Sequence, residues 1–400
     1  MEKLGNYILD IAAGPFGSNL KVECFVPTGF PIIDGANLKS FKVTDNISKF
    51  VTEEKARSLH RSIAQKNDVI VTISGNVGQI SYIPENSKYG EYLVSQRQFR
   101  VTFDTTRIYV PFLVYYFHTK EGQHKILSFA NQTGVPALAQ PLKNFRNIDV
   151  DFPDIVIQKK IANILESIDD KIENNKQIND NLEQQAQALY KSWFVDFDPF
   201  MGGEFVESEA GMIPKGWRVG NLLDVAELYD SKRKPLSGMQ RSAMKKIYPY
   251  YGATSIMDYV DNYIFDGIYL LMGEDGSVVT DEGYPYLQYV SGKFWPNNHA
   301  HVMQGKNGYS TEMLHCFLLK KNISEIVTGA VQAKISQGNM KKISLIIAPD
   351  AIQNEFTKIL DAIYAKIRGI SSENLKLEIM RDSLLPKLMS GELKINEIDC

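Results

Sequence analysis

Several short stretches hold residue types that do chemistry, and each can be weighed by what its reaction would require. Asp196–Phe200, DFDPF, places acids and a proline before an aromatic ring, the kind of group with which an amino-methyltransferase holds its target amine. It lacks a second proline, and no glycine-rich strand–loop for a methyl donor accompanies it. Gly273–Val279, GEDGSVV, is glycine-bearing, yet no GK[ST] follows and its acids would repel phosphate. His299 and His301, with Asp275 or Asp281, offer nitrogen and oxygen ligands to a metal. A histidine pair in an aromatic-rich segment serves more often as hydrogen-bonded structure. Asp350, Glu355 and Lys358 in PDAIQNEFTK imitate a nuclease triad, but a proline and acids also suit the first turn of a helix. Cys24, Cys316 and Cys400 form no CxxC pair and lack the partners of an activated nucleophile, which fits a reducing cytosol. The chain is expected to carry no catalytic residue, no metal and no cofactor of its own.

Charge is segregated rather than large. The net charge is −3, but Ser231–Lys246 (SKRKPLSGMQRSAMKK) holds six basic residues and no acid, while Asp196–Glu209 holds five acids and no base. Association with a polyanion depends on local potential, so a small net charge does not exclude it. With 400 residues, 44% apolar and 23% charged, the chain has ample core and length for two or three domains. No run approaches the roughly 20 consecutive apolar residues of a membrane span. The opening MEKLGNYILD lacks an apolar signal core, so the cytoplasm is the expected location.

An internal repeat organises these pieces. TGVPALAQPLKNFRNI (Thr133–Ile148) lies over TGAVQAKISQGNMKKI (Thr328–Ile343) at an offset of 195 residues, and that offset continues without a gap to Leu182/Leu377 and Glu183/Glu378. Upstream, DVIVTISGNVG (Asp68–Gly78) echoes DGIYLLMGEDG (Asp266–Gly276), which aligns Gly75 with Gly273 and Gly78 with Gly276. Each half thus reads as a globule followed by a helix. The globules mix β-branched, glycine-punctuated segments with short helices, as in an α+β fold. Apolar residues then recur in steps of three and four. One series is Ile161, Ile164, Ile168, Ile172 and Leu182, and the other is Phe356, Ile359, Ile363, Ile367 and Leu377. Two such stripes can bury one another as an antiparallel coiled coil, with Asn174, Asn175 and Asn179 fixing register midway. The expected domains are 1–153, a helix over 154–194, an acidic linker over 195–214, a second globule over 215–349, and a helix with tail over 350–400.

The whole sequence resembles the specificity subunits of type I restriction-modification systems. The motifs that carry the resemblance are QALYKSWFVDFDPF (Gln187–Phe200), IPKGW (Ile213–Trp217), YYGATSIMDYVDNYIFDG (Tyr250–Gly267), GEDGSV, NNHAH (Asn297–His301) and SLLPKLMSGEL (Ser383–Leu393). The chain begins without an IPKGW-like segment before its first domain. The resemblance implies two target-recognition domains, each reading half of a split DNA site, and a coiled coil that sets the spacer. Two methyltransferase subunits using S-adenosylmethionine, and restriction subunits using ATP and Mg, are the implied partners. Other possibilities are a self-contained DNA-modifying enzyme and a coiled-coil scaffold that binds no DNA. On the implied reading, Lys232, Arg233, Lys234 and Arg241 are expected on phosphates. Tyr251, Gly252, Ser255, Asp275, Asn298 and His299 are expected to read bases or shape loops in the second domain. In the first domain the candidates are Ser74, Asn76 and Gln79, with Gln96, Arg97 and Gln98 as a donor-rich triplet suited to purines. Thr133, Gly134, Thr328 and Gly329 lie in the repeated loop before each helix.

Overall fold

The computed structural model describes residues 1–131, 136–329 and 332–393, and the chain divides into two units: Met1–Glu173 with Leu375–Cys400, and Asn174–Asn374. In the first unit, β1 (Ile8–Ala13), β2 (Phe30–Ile33), β3 (Val69–Thr72), β4 (Ile80–Tyr82), β5 (Glu91–Val94) and β6 (Gln98–Phe103) precede helix α1 (Val110–His118). Strands β1, β6, β3 and β4 lie in that order in one antiparallel sheet. Strands β2 and β5 run parallel in a second sheet, with Ile32 opposite Leu93. Helix α1, VPFLVYYFH, is apolar on every side, and Val110 to Phe117 are all buried, as such a helix must be. Its proline sits in the first turn, where no intrahelical amide bond is lost.

Helix α2 (Ile155–Phe194) follows, and the second unit repeats the plan. Strands β7 (Ala226–Leu228), β8 (Tyr248–Tyr251), β9 (Ile256–Val260), β10 (Phe265–Gly273), β11 (Leu287–Pro296) and β12 (Ala300–Gly305) precede α3 (Thr311–Leu319) and, later, α4 (Asp350–Ser390). They form one six-stranded sheet in the order β7, β12, β10, β11, β8, β9. The long β11 pairs antiparallel with β10 and, at its end, parallel with β8, so one strand does what β4 and β5 do separately.

Both long helices contribute residues to both units. In the first unit, Ile161, Ala162 and Leu165 of α2 share a core with Leu385 and Leu388 of α4, and Arg381 Nη1 donates to Asp169 Oδ1 at 2.8 Å. In the second unit, Phe194 meets Phe356 with ring centroids 4.8 Å apart, and Asn175 Nδ2 donates to Asn374 Oδ1 at 2.8 Å. Within each unit, rising numbers on α2 meet falling numbers on α4, so the helices pair antiparallel. Asn179, also named from the sequence, donates to Ser371 Oγ at 3.1 Å. Of the seam residues, Ile161, Ile168, Ile172, Phe356 and Ile367 are buried, whereas Ile164, Leu182, Ile359, Ile363 and Leu377 are half-buried. Leu165, Leu360 and Tyr364 are buried as well, because each helix also packs on its own sheet domain and needs a wider apolar face than a two-helix seam.

Side chains join domain to helix in both units. Tyr82 and Tyr109 hydroxyls donate to Glu166 at 2.8 and 3.1 Å, and the buried Gln158 Oε1 accepts from Tyr109 N at 2.9 Å. In the second unit, His315 on α3 bonds the Tyr364 hydroxyl at 2.8 Å and stacks on Tyr289. Burial pushes the His315 imidazole down to about 4. It therefore stays neutral in the fold at a pH where the unfolded chain's imidazole, near 6.5, takes a proton. The unfolded state then binds the extra proton, so the second unit is expected to lose stability as pH falls from about 6.5 toward 4, by roughly 3 kcal/mol at the lower end. Urea midpoints can follow this by fluorescence, since Trp193, Trp217 and Trp295 all lie in the second unit. The His315→Phe protein should lack that part of the slope; equal slopes in the two proteins would refute the assignment.

Candidate nucleic-acid interface

The residues singled out in the first domain meet at the ends of three strands. Ile73 N, just past β3, donates to Arg97 O at 2.7 Å, and Ser95 N, just past β5, donates to Ile33 O at 2.9 Å. Between these loops lies a cleft of about 620 Å³, lined by Ser74, Asn76, Gln79, Gln96, Arg97 and Gln98 together. Leu20, Phe25 and Ile32 supply apolar lining, and the Asp34–Lys49 ion pair, at 2.7 Å, supplies charge. Two of the six serve as frame. Gln98 is buried, accepts from Ser95 Oγ and reaches Thr72 Oγ1 at 3.4 Å, while Gln79 Oε1 accepts from the same Thr72 hydroxyl at 3.3 Å. Asn76, Gln96 and Arg97 are exposed, and their side chains have no hydrogen-bond or ionic partner among the described residues. Buried polar groups that are already satisfied hold a loop; exposed unsatisfied ones are available to a ligand.

The second unit builds the same frame from other residues. Glu274 N, just past β10, donates to His299 O at 2.8 Å, and Asn297 N donates to Tyr251 O at 2.9 Å. Ile335 N donates to Glu274 O at 2.8 Å, as Leu138 N does to Ile73 O at 2.9 Å. Gly276 (φ +82°) stands where Gly75 (φ +90°) stands, and only glycine adopts that backbone at little cost. The matched pairs are therefore Ser74/Asp275, Gln96/Asn298 and Arg97/His299. This corrects the glycine alignment made on sequence: Gly75 answers to Gly276, not Gly273, because β10 has nine residues where β3 has four, while the hydrogen-bond pattern past their ends repeats. Asn298 is exposed, and Asp275 holds the Nδ1 of the partly exposed His299 by a hydrogen bond.

The basic run divides by direction. Arg233, expected on phosphate, turns inward: its Nη1 donates to Glu274 Oε2 at 2.6 Å and to Ala300 O at 2.6 Å, and its Nη2 lies 3.6 Å from Asp230. Burial works to raise the Asp230 carboxyl, but hydrogen bonds from His301, Val302 N and Gln337 outweigh it and hold the group below the usual carboxylate value. Asp230, Glu274 and His301 bring ligand atoms within 4.8 Å of one another, and Arg233 supplies the positive charge there. The sequence reading weighed His299 and His301 together; the fold separates them, one to the loop tip and one to this buried cluster. Arg241 is likewise engaged, with Asp258 Oδ2 at 3.1 Å and the Tyr250 ring 4.9 Å away. Lys232 and Lys234 are exposed and have no ion pair among the described residues, although Lys232 lies over the Tyr229 ring.

The remaining candidates shape turns. Gly252 N donates to Ser255 O at 2.8 Å between β8 and β9; Ser255 is exposed and Tyr251 half-buried. Thr328 exchanges backbone bonds with Lys334, and Gly329, at φ +96°, has no room for a side chain, whose Cβ would lie 2.1 Å from Gln332 O. Thr133 and Gly134 lie outside the described residues. Sequence reasoning missed Asp34, Lys49, Asp230 and Glu274. Asp34, Lys49 and Asp230 stand in no distinctive motif, and Glu274 entered only as a member of GEDGSV; each acquires its role only when distant strands meet.

The model of the type I restriction modification DNA specificity domain matches twice, over residues 24–184 and 214–379, which is most of the chain. The chain belongs to that family. Each match contains one of the two loop frames, so this specificity chain carries two DNA-specificity domains in tandem. Among curated relatives, the type I restriction enzyme MjaIX specificity subunit of Methanocaldococcus jannaschii is 25% identical over 367 residues, covering 87% of this chain and 82% of that one. A putative type I restriction enzyme specificity subunit of Haemophilus influenzae is 38% identical over 144 residues, 36% of each chain. The crystal structure of the type I S subunit from M. genitalium shares the fold, with a TM-score of 0.54 at 16% identity over 97% of this chain and 95% of that one. These curated relatives are specificity subunits. No described helix of the specificity chain is long and apolar enough to cross a membrane.

Proposed function

We propose that the chain is a non-catalytic, cytoplasmic DNA reader in which each domain recognises one half of a bipartite site. The coiled coil sets the spacer between the halves and docks two methyltransferase subunits. The observation that carries this reading is the pair of matched loop frames: one hydrogen-bond pattern, built twice, presents different side chains at the same positions. A protein that reads two different half-sites needs that combination of constant frame and variable tips. The methyltransferase subunits would bind S-adenosylmethionine and take the target base out of the duplex. Restriction subunits would add ATP- and Mg-dependent cleavage.

Reconstitution tests the assignment. The chain with its modification subunit should transfer methyl groups to a split site, and either protein alone should transfer none. Transfer by the chain alone would make it a self-contained enzyme; transfer by the modification subunit to the same sites without the chain would leave it a scaffold. The exposed lysines make a quantitative prediction. Replacing Lys232 and Lys234 by alanine should weaken binding about equally on all sequences and lower the slope of log affinity against log salt by about one per lysine lost. Titrations of the complex at several salt concentrations check this, with an unchanged slope as the refuting result.

A further inference from the structure

Resting on the half-site reading, we propose that Gln96–Arg97 and Asn298–His299 are matched base-reading tips, each occupying the same place on its own domain. In each pair the backbone is fixed from behind, Arg97 O by Ile73 N at 2.7 Å and His299 O by Glu274 N at 2.8 Å, so the side chains leave from equivalent points. The first position bears an amide in both domains. An amide presents a donor beside an acceptor, the complement of adenine's N6 and N7 edge in the major groove. Both half-sites are therefore read for adenine at that position.

The second position is where the halves diverge. Arg97 is exposed and has no partner among the described residues, and the matched neighbour Ser74 is too short and uncharged to hold it. A free guanidinium there is a two-pronged donor suited to guanine's O6 and N7. His299 is different, because Asp275, the counterpart of Ser74, holds its Nδ1 and leaves Nε2 without a hydrogen-bond partner among the described residues. That nitrogen makes one bond rather than two, so the second half-site is read less stringently at this position. Charge also differs: the first tip carries an unneutralised cation, and the second pairs its imidazole with a carboxylate.

Selection of bound duplexes from a randomised DNA pool, with the complex of this chain and its modification subunit, tests the pairing. The wild-type complex should enrich a two-part motif. Arg97→Ala should lose preference for guanine at one base pair of one half, by roughly ten- to a hundred-fold, and leave the other half and the spacer unchanged. The double variant His299→Ala with Asp275→Ser, which leaves no unpaired carboxylate behind, should relax the corresponding pair of the other half by a smaller factor. Arg97 and His299 are at least partly exposed, and unchanged urea midpoints would show that both variants stay folded. An unaltered motif in Arg97→Ala, or relaxation of the same half by both variants, overturns the pairing alone. Absence of any two-part motif from the wild-type complex overturns the half-site reading, and the pairing with it.

Discussion

Arg233→Ala should destabilise the second unit by about 3–5 kcal/mol, the cost of removing one partner from a buried ionic cluster. The guanidinium is only 12% exposed and holds Glu274, whose side chain is 15% exposed, while lying beside the still more buried Asp230. Without it, the Asp230 and Glu274 carboxylates face each other, and among the described residues Lys334, 3.6 Å from Glu274, is the remaining lysine or arginine paired with either. Glu274 is also the residue whose amide fixes the His299 tip, so the damage should spread from stability to recognition of one half-site. Lys234→Ala, one residue away on the exposed side, should stay within about 0.5 kcal/mol of the parent. Urea unfolding read by tryptophan fluorescence reports on the second unit alone and separates the two outcomes. An Arg233→Ala protein of parental stability but reduced salt slope would return this residue to the phosphate-contact role read from the sequence.

Leu165→Pro should abolish modification of the split site. Leu165 is fully buried on α2, in the core that includes Ile161, Ala162, Leu385 and Leu388. Proline there removes an intrahelical bond and clashes with the preceding turn, at about 3 kcal/mol or more, and the buried leucine contacts are lost in addition. Leu165→Ala, which empties the same space without breaking the helix, should cost about 2–5 kcal/mol. If that variant stays folded, it should keep the motif it modifies. The comparison therefore separates continuity of the spacer helix from loss of stability. Far-UV circular dichroism and methyl transfer to the split site follow the two effects, and undiminished modification by the proline variant would refute a spacer role for α2.

The helices were the legible part of this chain. Residues such as Ile164/Ile359 and Ile172/Ile367 hold one offset because both copies of the helix must bury the same stripe, and burial constrains residue type. The loop clusters were half legible. Ser74, Asn76, Gln96, Arg97, Asp275, Asn298 and His299 could be named from loop composition, and they gather at matched strand ends. Their correspondence could not be read, because exposed tips carry different side chains and the shared feature is a backbone bond from Ile73 or Glu274. The basic run misled in a physical way. Composition counts the charge of Arg233 and Arg241, but Glu274 and Asp258, far along the chain, decide that both side chains are already engaged.

The most direct test of a two-domain specificity role is adenine-methylation mapping of genomic DNA. Cells carrying this chain and its neighbouring modification subunit would be compared with cells lacking only this chain. A single two-part motif that disappears with the chain is the predicted result, and it would name both half-sites and the spacer. A methylation pattern that persists unchanged without the chain would contradict the account.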